Sequence, residues 1–242
     1  MQYFLETVDT IDAGVGFSLF GTIHLAWIGL LAVAILINCL WFRKLSSDGR
    51  NIWKKTIAVL LLLDELFKTV ILLIAGQYNV EYLPLHLCSI NIFMITLHAW
   101  RPSASLDNFL YTVCIPGALA ALLFPAWTEL PVLNAMHLHS FTVHILLMLY
   151  PVVLTVNKEI RPNIKMLPKS LGLLGAMAVV IYVVNLLLDT NFMFLMYAEP
   201  GNPLYWFGQN WGNHLLGFPV IIVGVMMVMY LPIELHRKRQ KR

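Results

Sequence analysis

Charge is what this chain has least of. Of its 242 residues only 12% are Asp, Glu, Lys or Arg, about half the share an ordinary soluble domain carries. Against that scarcity stand 59% hydrophobic residues and a mean hydropathy of +0.75. A soluble globular fold is excluded, because there is too little polar side chain to cover its surface. Cysteine is scarce too: Cys39, Cys88 and Cys114 all fall inside apolar runs, which excludes a disulfide framework. Four stretches, 1–20, 77–83, 126–136 and 190–213, contain no Lys or Arg at all. There is no low-complexity stretch and no clear internal repeat. The pI of 8.7 does not point to nucleic acid, because the basic residues follow the pattern of apolar runs, and no nucleic-acid partner is expected.

What is present is a succession of apolar runs, each long enough to cross about 30 Å of hydrocarbon at helical rise. The pattern predicts an all-α, polytopic membrane helix bundle of about seven transmembrane helices, near 21–42, 54–76, 84–100, 107–125, 137–156, 167–189 and 214–235. The first run is too late and too long for a signal-peptide core, and no positive charge precedes it. Positive residues are retained on the cytoplasmic side. The loops with Arg43, Lys44, Arg50, Lys54 and Lys55, with Arg101, and with Lys158, Arg161, Lys165 and Lys169 therefore face the cytosol, together with a tail bearing Arg237, Lys238, Arg239, Lys241 and Arg242. The expected organisation is an extracytoplasmic segment 1–20, a seven-helix domain 21–235 and a basic cytoplasmic tail 236–242 in a multi-pass cell-membrane protein.

In such a chain the information lies in polar groups at depth, since each costs a few kcal/mol unless paired or hydrated. The second run, LLLLDELFKTVILL, carries Asp64, Glu65 and Lys68 near its midpoint. Either carboxylate meets the ammonium at i, i+4 or i, i+3 spacing. The spare negative charge then needs a partner from another helix, a proton or water. An ion pair that locks the bundle and a functional charge site are both compatible with this pattern.

His86, His137, His139, His144 and His214 lie at or near the outer ends of runs, as do Asn185, Asp189, Asn191, Asn210 and Asn213. Cys88 is expected one turn below the start of the third helix and His144 two turns below the start of the fifth, so the two share a layer. His137, Ser140 and His144 share one face, and His139 points away from it. A polar chamber in the outer half of the bundle is the economical explanation, with the aromatic loop 190–213 as a lid or an interfacial belt. His24 and His98 lie elsewhere and read as structural.

A thiol in such a chamber suits acyl transfer, which needs a thiolate, a base and donors to an oxyanion. Cys88 is the nucleophile in that reading, with His144 or His137 as base. Asn91, one turn along the same face, or Asn185 donates to the oxyanion, and Asp189 orients a histidine. His86, His139, Asn191, Asn210 and His214 line the chamber or bind substrate. No cofactor or metal is needed, and the partners are membrane phospholipids. A zinc hydrolase is disfavoured because His137 and His139 project apart and no HxxxH pair occurs. A proton-coupled carrier built on Asp64, Glu65 and Lys68 and a receptor-like scaffold are readings from other classes.

LPLHLCSINIF at 83–93, GALAALLFP at 117–125, the histidine-bearing start of the fifth helix, and DTNFMFL at 189–195 followed by Asn213–His214 resemble the YwaF-like integral membrane family. That family is similar to the animal transmembrane protein 164 family. The resemblance implies a phospholipid acyltransferase or transacylase in which the cysteine of the LPLHLC-type block, here Cys88, carries the acyl group.

Overall fold

The computed structural model describes residues 3–240, with side chains through 235; the basic residues Arg237, Lys238, Arg239, Lys241 and Arg242 lie outside the described side chains. Among the described residues the secondary structure is entirely helical. The chain folds as two compact units, one ending at Pro162 and the other beginning at Asn163.

In the first unit α1 (Thr22–Lys44) and α2 (Ser47–Ala75) are joined by a short link in which Ser46 caps α2, its Oγ accepting from the Gly49 amide at 3.2 Å. α2 has 29 residues and is about 43 Å long. Gly76 stops it at φ 68°, the left-handed conformation that glycine adopts without a Cβ penalty. A 3-10 turn at Val80–Tyr82 leads to α3 (Leu87–Trp100). This helix starts three residues later than the sequence predicts, because Pro84 and the residue before it favour extended backbone, and Leu83 and His86 are both extended.

α4 (Ala104–Phe109) runs through a five-residue π turn, Leu110–Cys114, into α5 (Ile115–Leu123). Pro116 in the first turn of α5 has no amide hydrogen and crowds the carbonyl four residues back, and the wider π turn absorbs that conflict. α6 (Ala135–Val156) is the central helix, packed against α1, α2, α3, α5 and the π turn. Its cap, Asn134, accepts from the amides of Met136 and His137 and donates to the carbonyls of Tyr3 and Glu6 at 2.7 Å. The N-terminal segment is thereby tied to the start of α6, and Phe17 and Thr7 are buried. Gly16 is required there, since a Cβ would stand 2.1 Å from the Thr128 carbonyl oxygen. At the other end of α6, Glu159 bonds Arg50 Nη1 at 2.9 Å, so the starts of α1 and α6 and the basic connections occupy opposite ends of the unit.

Phe141 anchors the core of this unit. It is fully buried, stacks on Trp27 at 4.8 Å, and meets Phe17, Trp127 and His137 edge-on or tilted.

The second unit contains α7 (Leu167–Leu188), α8 (Pro203–Trp211) and α9 (Gly217–Gln240). The stretch 190–213, read from sequence as a loop, holds a 3-10 turn at Phe192–Phe194 and the helix α8. Asn202 caps α8 through the Leu204 amide at 2.9 Å, with Pro203 at its first position.

Among the described residues six helical stretches are long and apolar enough to cross a membrane: Thr22–Lys44, Val80–Trp100, Ala104–Leu123, Ala135–Val156, Ile164–Leu188 and His214–Leu235. α2 has the length but carries Asp64, Glu65 and Lys68 inside its apolar run. Their outer faces expose large apolar side chains such as Leu36, Leu186 and Val228, which suits lipid and not water.

Candidate functional site

The charges of α2 divide between two neighbours. Lys68 is buried and its Nζ bonds Glu65 on the same helix. Asp64 turns to α6 instead: its Oδ1 accepts from Thr142 Oγ1 at 3.1 Å. Its Oδ2 lies 3.3 Å from His139 Nδ1, but the approach lacks hydrogen-bond alignment and both atoms remain without a bond. The spare carboxylate of the triad thus has its partner in another helix.

Lys68 also connects α2 to the start of α3, where its ammonium is within Coulombic range of both His86 and Cys88. α3 has only 14 residues, about 21 Å of helix against about 30 Å of hydrocarbon, and the rest of that crossing is the irregular stretch from Asn79 to His86. Irregular backbone at membrane depth is tolerated where it is buried in protein or lines a wet cavity. Cys88 is the second residue of α3, one residue from its start and not a full turn below it. There the free amides of the first turn favour negative charge, and the next residue, Ser89, is buried. Asn91, one turn further, is 1% exposed, and its Oδ1 has no hydrogen-bond partner.

The three cysteines differ in what surrounds them. Cys114 Sγ donates to the Leu147 carbonyl at 3.3 Å. Pro151, inside α6, cannot donate to that carbonyl, so the Cys114 thiol repairs the helix. Cys39 is buried in α1. Cys88 is half-buried and borders the charge pair.

The histidines of α6 separate by their tautomers. His137 Nδ1 donates to the Leu130 carbonyl at 2.9 Å and its Nε2 accepts from Trp27 Nε1 at 2.9 Å. Both nitrogens are committed, which removes it as a base without loss of those bonds. His144 Nδ1 donates to the Ser140 carbonyl at 2.6 Å, so neutral His144 presents Nε2 as an acceptor; its ring stacks on Trp127 at 5.3 Å. His144 is within Coulombic range of Asp64 and His139. No hydrogen bond joins it to Cys88, so the pairing expected from the layer argument is not made directly. His24 bridges the Phe20 amide and the Leu122 carbonyl, and His98 bridges Tyr150 and Asp107; both stitch the helices together.

The remaining candidates belong to the second unit. Asn185 is buried and clamps residues 190–192: Oδ1 accepts from the Phe192 amide and Thr190 Oγ1, and Nδ2 donates to the Phe192 carbonyl. Its side chain thus holds the turn that follows α7. Asn191 holds Met196 and Tyr197, Asn210 donates to the Trp206 carbonyl, and His214 Nε2 donates to the Phe194 carbonyl at 3.0 Å. Asp189 is exposed and ends α7 in the left-handed conformation, φ 54°; no histidine bonds to it. Tyr182, Tyr197, Tyr205 and His214 border a cavity of about 390 Å³. Among the described residues no three His, Cys, Asp or Glu side chains converge as a ligand set for a metal.

Sequence reasoning missed Thr142 and Trp27. Thr142 had a visible signal, lying three residues from His139 on the face that meets α2. Trp27 had none, because it reaches His137 across 110 positions of sequence.

These features define a multi-pass helical membrane protein with a polar interior layer around the starts of α3 and α6. The family model for the TMEM164 family matches residues 19–230, and the chain belongs to that family. No match was found among curated proteins or among solved structures.

Proposed function

We propose that the chain is a phospholipid acyltransferase of the cell membrane that carries the acyl group on Cys88. The observation that carries this reading is the setting of Cys88: the first turn of a helix within the apolar stretch Val80–Trp100, with the Lys68 ammonium in range and Asn91, whose Oδ1 has no partner, one turn on. The Cys88 thiolate attacks the ester carbonyl of a phospholipid. The acyl C–O bond breaks, the glycerol oxygen takes up the proton lost by the thiol, and a lysophospholipid leaves a thioester. A second lysophospholipid then gives its hydroxyl proton to a base as its oxygen attacks the thioester, and the thiolate is expelled. Asn91 turns its amide toward the oxyanion, and His144 Nε2 is the proton acceptor, reached through water or substrate. No cofactor or metal enters. In this reading α2 is a seventh span whose three charges face the interior, the N-terminus is outside, and the basic connections are cytoplasmic.

The test is lipid turnover by the full chain in phospholipid nanodiscs with an isotopically labelled lysophospholipid. Wild type is expected to give labelled diacyl product, and Cys88→Ser and Cys88→Ala none. Equal turnover by all three removes Cys88 from the mechanism. A well-folded protein without turnover but with ion or solute flux abolished by Lys68→Met favours the carrier reading.

A further inference from the structure

At the end of the first unit opposite Cys88, Arg43, Arg50, Val156, Asn157 and Lys158 line an open recess of about 360 Å³. Its three cations come from the last turn of α1, the first turn of α2 and the residue after the C-cap of α6. Arg50 is fixed in place by Glu159 at 2.9 Å, by the Leu45 carbonyl at 3.3 Å and by the Phe42 ring beneath it. Lys54 shares the same carboxylate at 3.4 Å. Arg43 and Lys158 make no ion pair among the described residues. Among the described residues Glu159 is the carboxylate that these cations pair with, and it takes Arg50 and Lys54.

Lys158 adds a second observation. Its φ is 62°, the left-handed conformation in which a helix end ordinarily places glycine, and a non-glycine residue held there carries a strain cost. The backbone requirement alone does not account for a lysine. Below the recess the outer face of α1 exposes Leu36, Ile37, Leu40 and Trp41, an apolar strip of the kind that acyl chains cover. The spans Thr22–Lys44 and Ala135–Val156 end at this level, so the recess lies at headgroup height.

We infer that this recess is a binding site for the headgroup of an anionic phospholipid, with Arg43, Lys158 and the unbonded Nη2 of Arg50 on the phosphate and the acyl chains along α1. Clustered basic residues at a membrane boundary recognise such headgroups, and guanidinium groups match phosphate geometry.

The test is native mass spectrometry of the full chain in detergent, titrated with dioleoyl phosphatidylglycerol or dioleoyl phosphatidylcholine. Wild type is expected to retain phosphatidylglycerol selectively. Arg43→Ala and Lys158→Gly are each expected to weaken that retention about five-fold, the ratio corresponding to about 1 kcal/mol per basic residue. Lys158→Gly suits the left-handed backbone, so its thermal unfolding stays at or above wild type and separates lost binding from lost fold. Equal retention of both lipids, or variants that bind as wild type does, overturns the inference. Displacement of the lipid by a large excess of inorganic phosphate also overturns it, in favour of a soluble anion.

Discussion

α6 and α7 each have 22 residues, and the difference between them shows how this protein divides its sequence between lipid and interior. In the apolar stretch of α7 11% of the residues are buried, against 61% in that of α6, although α7 is the more apolar of the two. The more apolar helix is thus the one that meets lipid. α6 is less apolar because its inner faces carry His137, Thr142 and His144, which meet Trp27, Asp64 and Trp127, and His139, which lies 3.3 Å from Asp64. In water burial follows hydrophobicity; in a membrane the solvent is as apolar as leucine, and cohesion rests on packing and polar contacts between helices.

The largest effect that can break this contrast is a truncation on each helix. Phe141→Ala, which empties the fully buried ring site against Trp27, is expected to cost about 3–5 kcal/mol. Leu187→Ala on α7, at a side chain 77% exposed, is expected to change stability by less than about 0.5 kcal/mol. Denaturation in mixed micelles measures both, and an equally large loss at Leu187 would mean that the outer face of α7 is covered.

A comparable loss is expected from Lys68→Met, which leaves the Glu65 carboxylate without its bonded partner, at about 3–5 kcal/mol. The double variant Glu65→Gln/Lys68→Met is expected to recover most of it, because the carboxylate that Lys68 paired is removed with it. Failure of that rescue would show that Lys68 acts through Cys88 and His86 and not through Glu65.

Tyr150→Phe sharpens the role of polar contacts inside the bundle. It removes the hydroxyl that bonds His98 Nδ1 at 2.8 Å, and thermal unfolding should report a loss of about 1–2 kcal/mol. The smallest effect lies at the basic end. Partial burial pushes the Glu159 carboxyl up, but hydrogen bonds and charge from Arg50 and Lys54 outweigh it and hold the group below the usual carboxylate range. The contribution of Glu159 is therefore complete above its ordinary value of 4.5 and is lost as pH falls through its lower folded value. Glu159→Gln should lower the melting temperature slightly at neutral pH, and the difference should close on acidification below that range.

Much of this architecture is legible in the sequence. The apolar runs announce their own helices, and Asn134 before the fifth run and Gly76 after the second are ordinary cap signals. α8 was legible in principle, since Asn202–Pro203 is a cap followed by a first-position proline, but the aromatic, charge-poor composition of 190–213 hid it. The π turn and the Cys114 bond to Leu147 were not legible. They arise because Pro116 and Pro151, on different helices, each leave a backbone group to be satisfied by its neighbourhood. The site was half legible: Cys88, Asn91 and the α2 charges stand out as polar residues at depth, but periodicity cannot show that His137 is doubly bonded while His144 keeps one nitrogen open.

The most direct measurement is peptide mass spectrometry on the full chain after incubation in nanodiscs whose phospholipid carries an isotopically labelled acyl chain. A labelled, hydroxylamine-sensitive acyl mass is expected on the peptide containing Cys88, none on the peptide containing Cys114, and none in Cys88→Ser after hydroxylamine. A protein that turns lipid over with Cys88 unmodified, or that carries the label equally on Cys114, would contradict acyl transfer through Cys88.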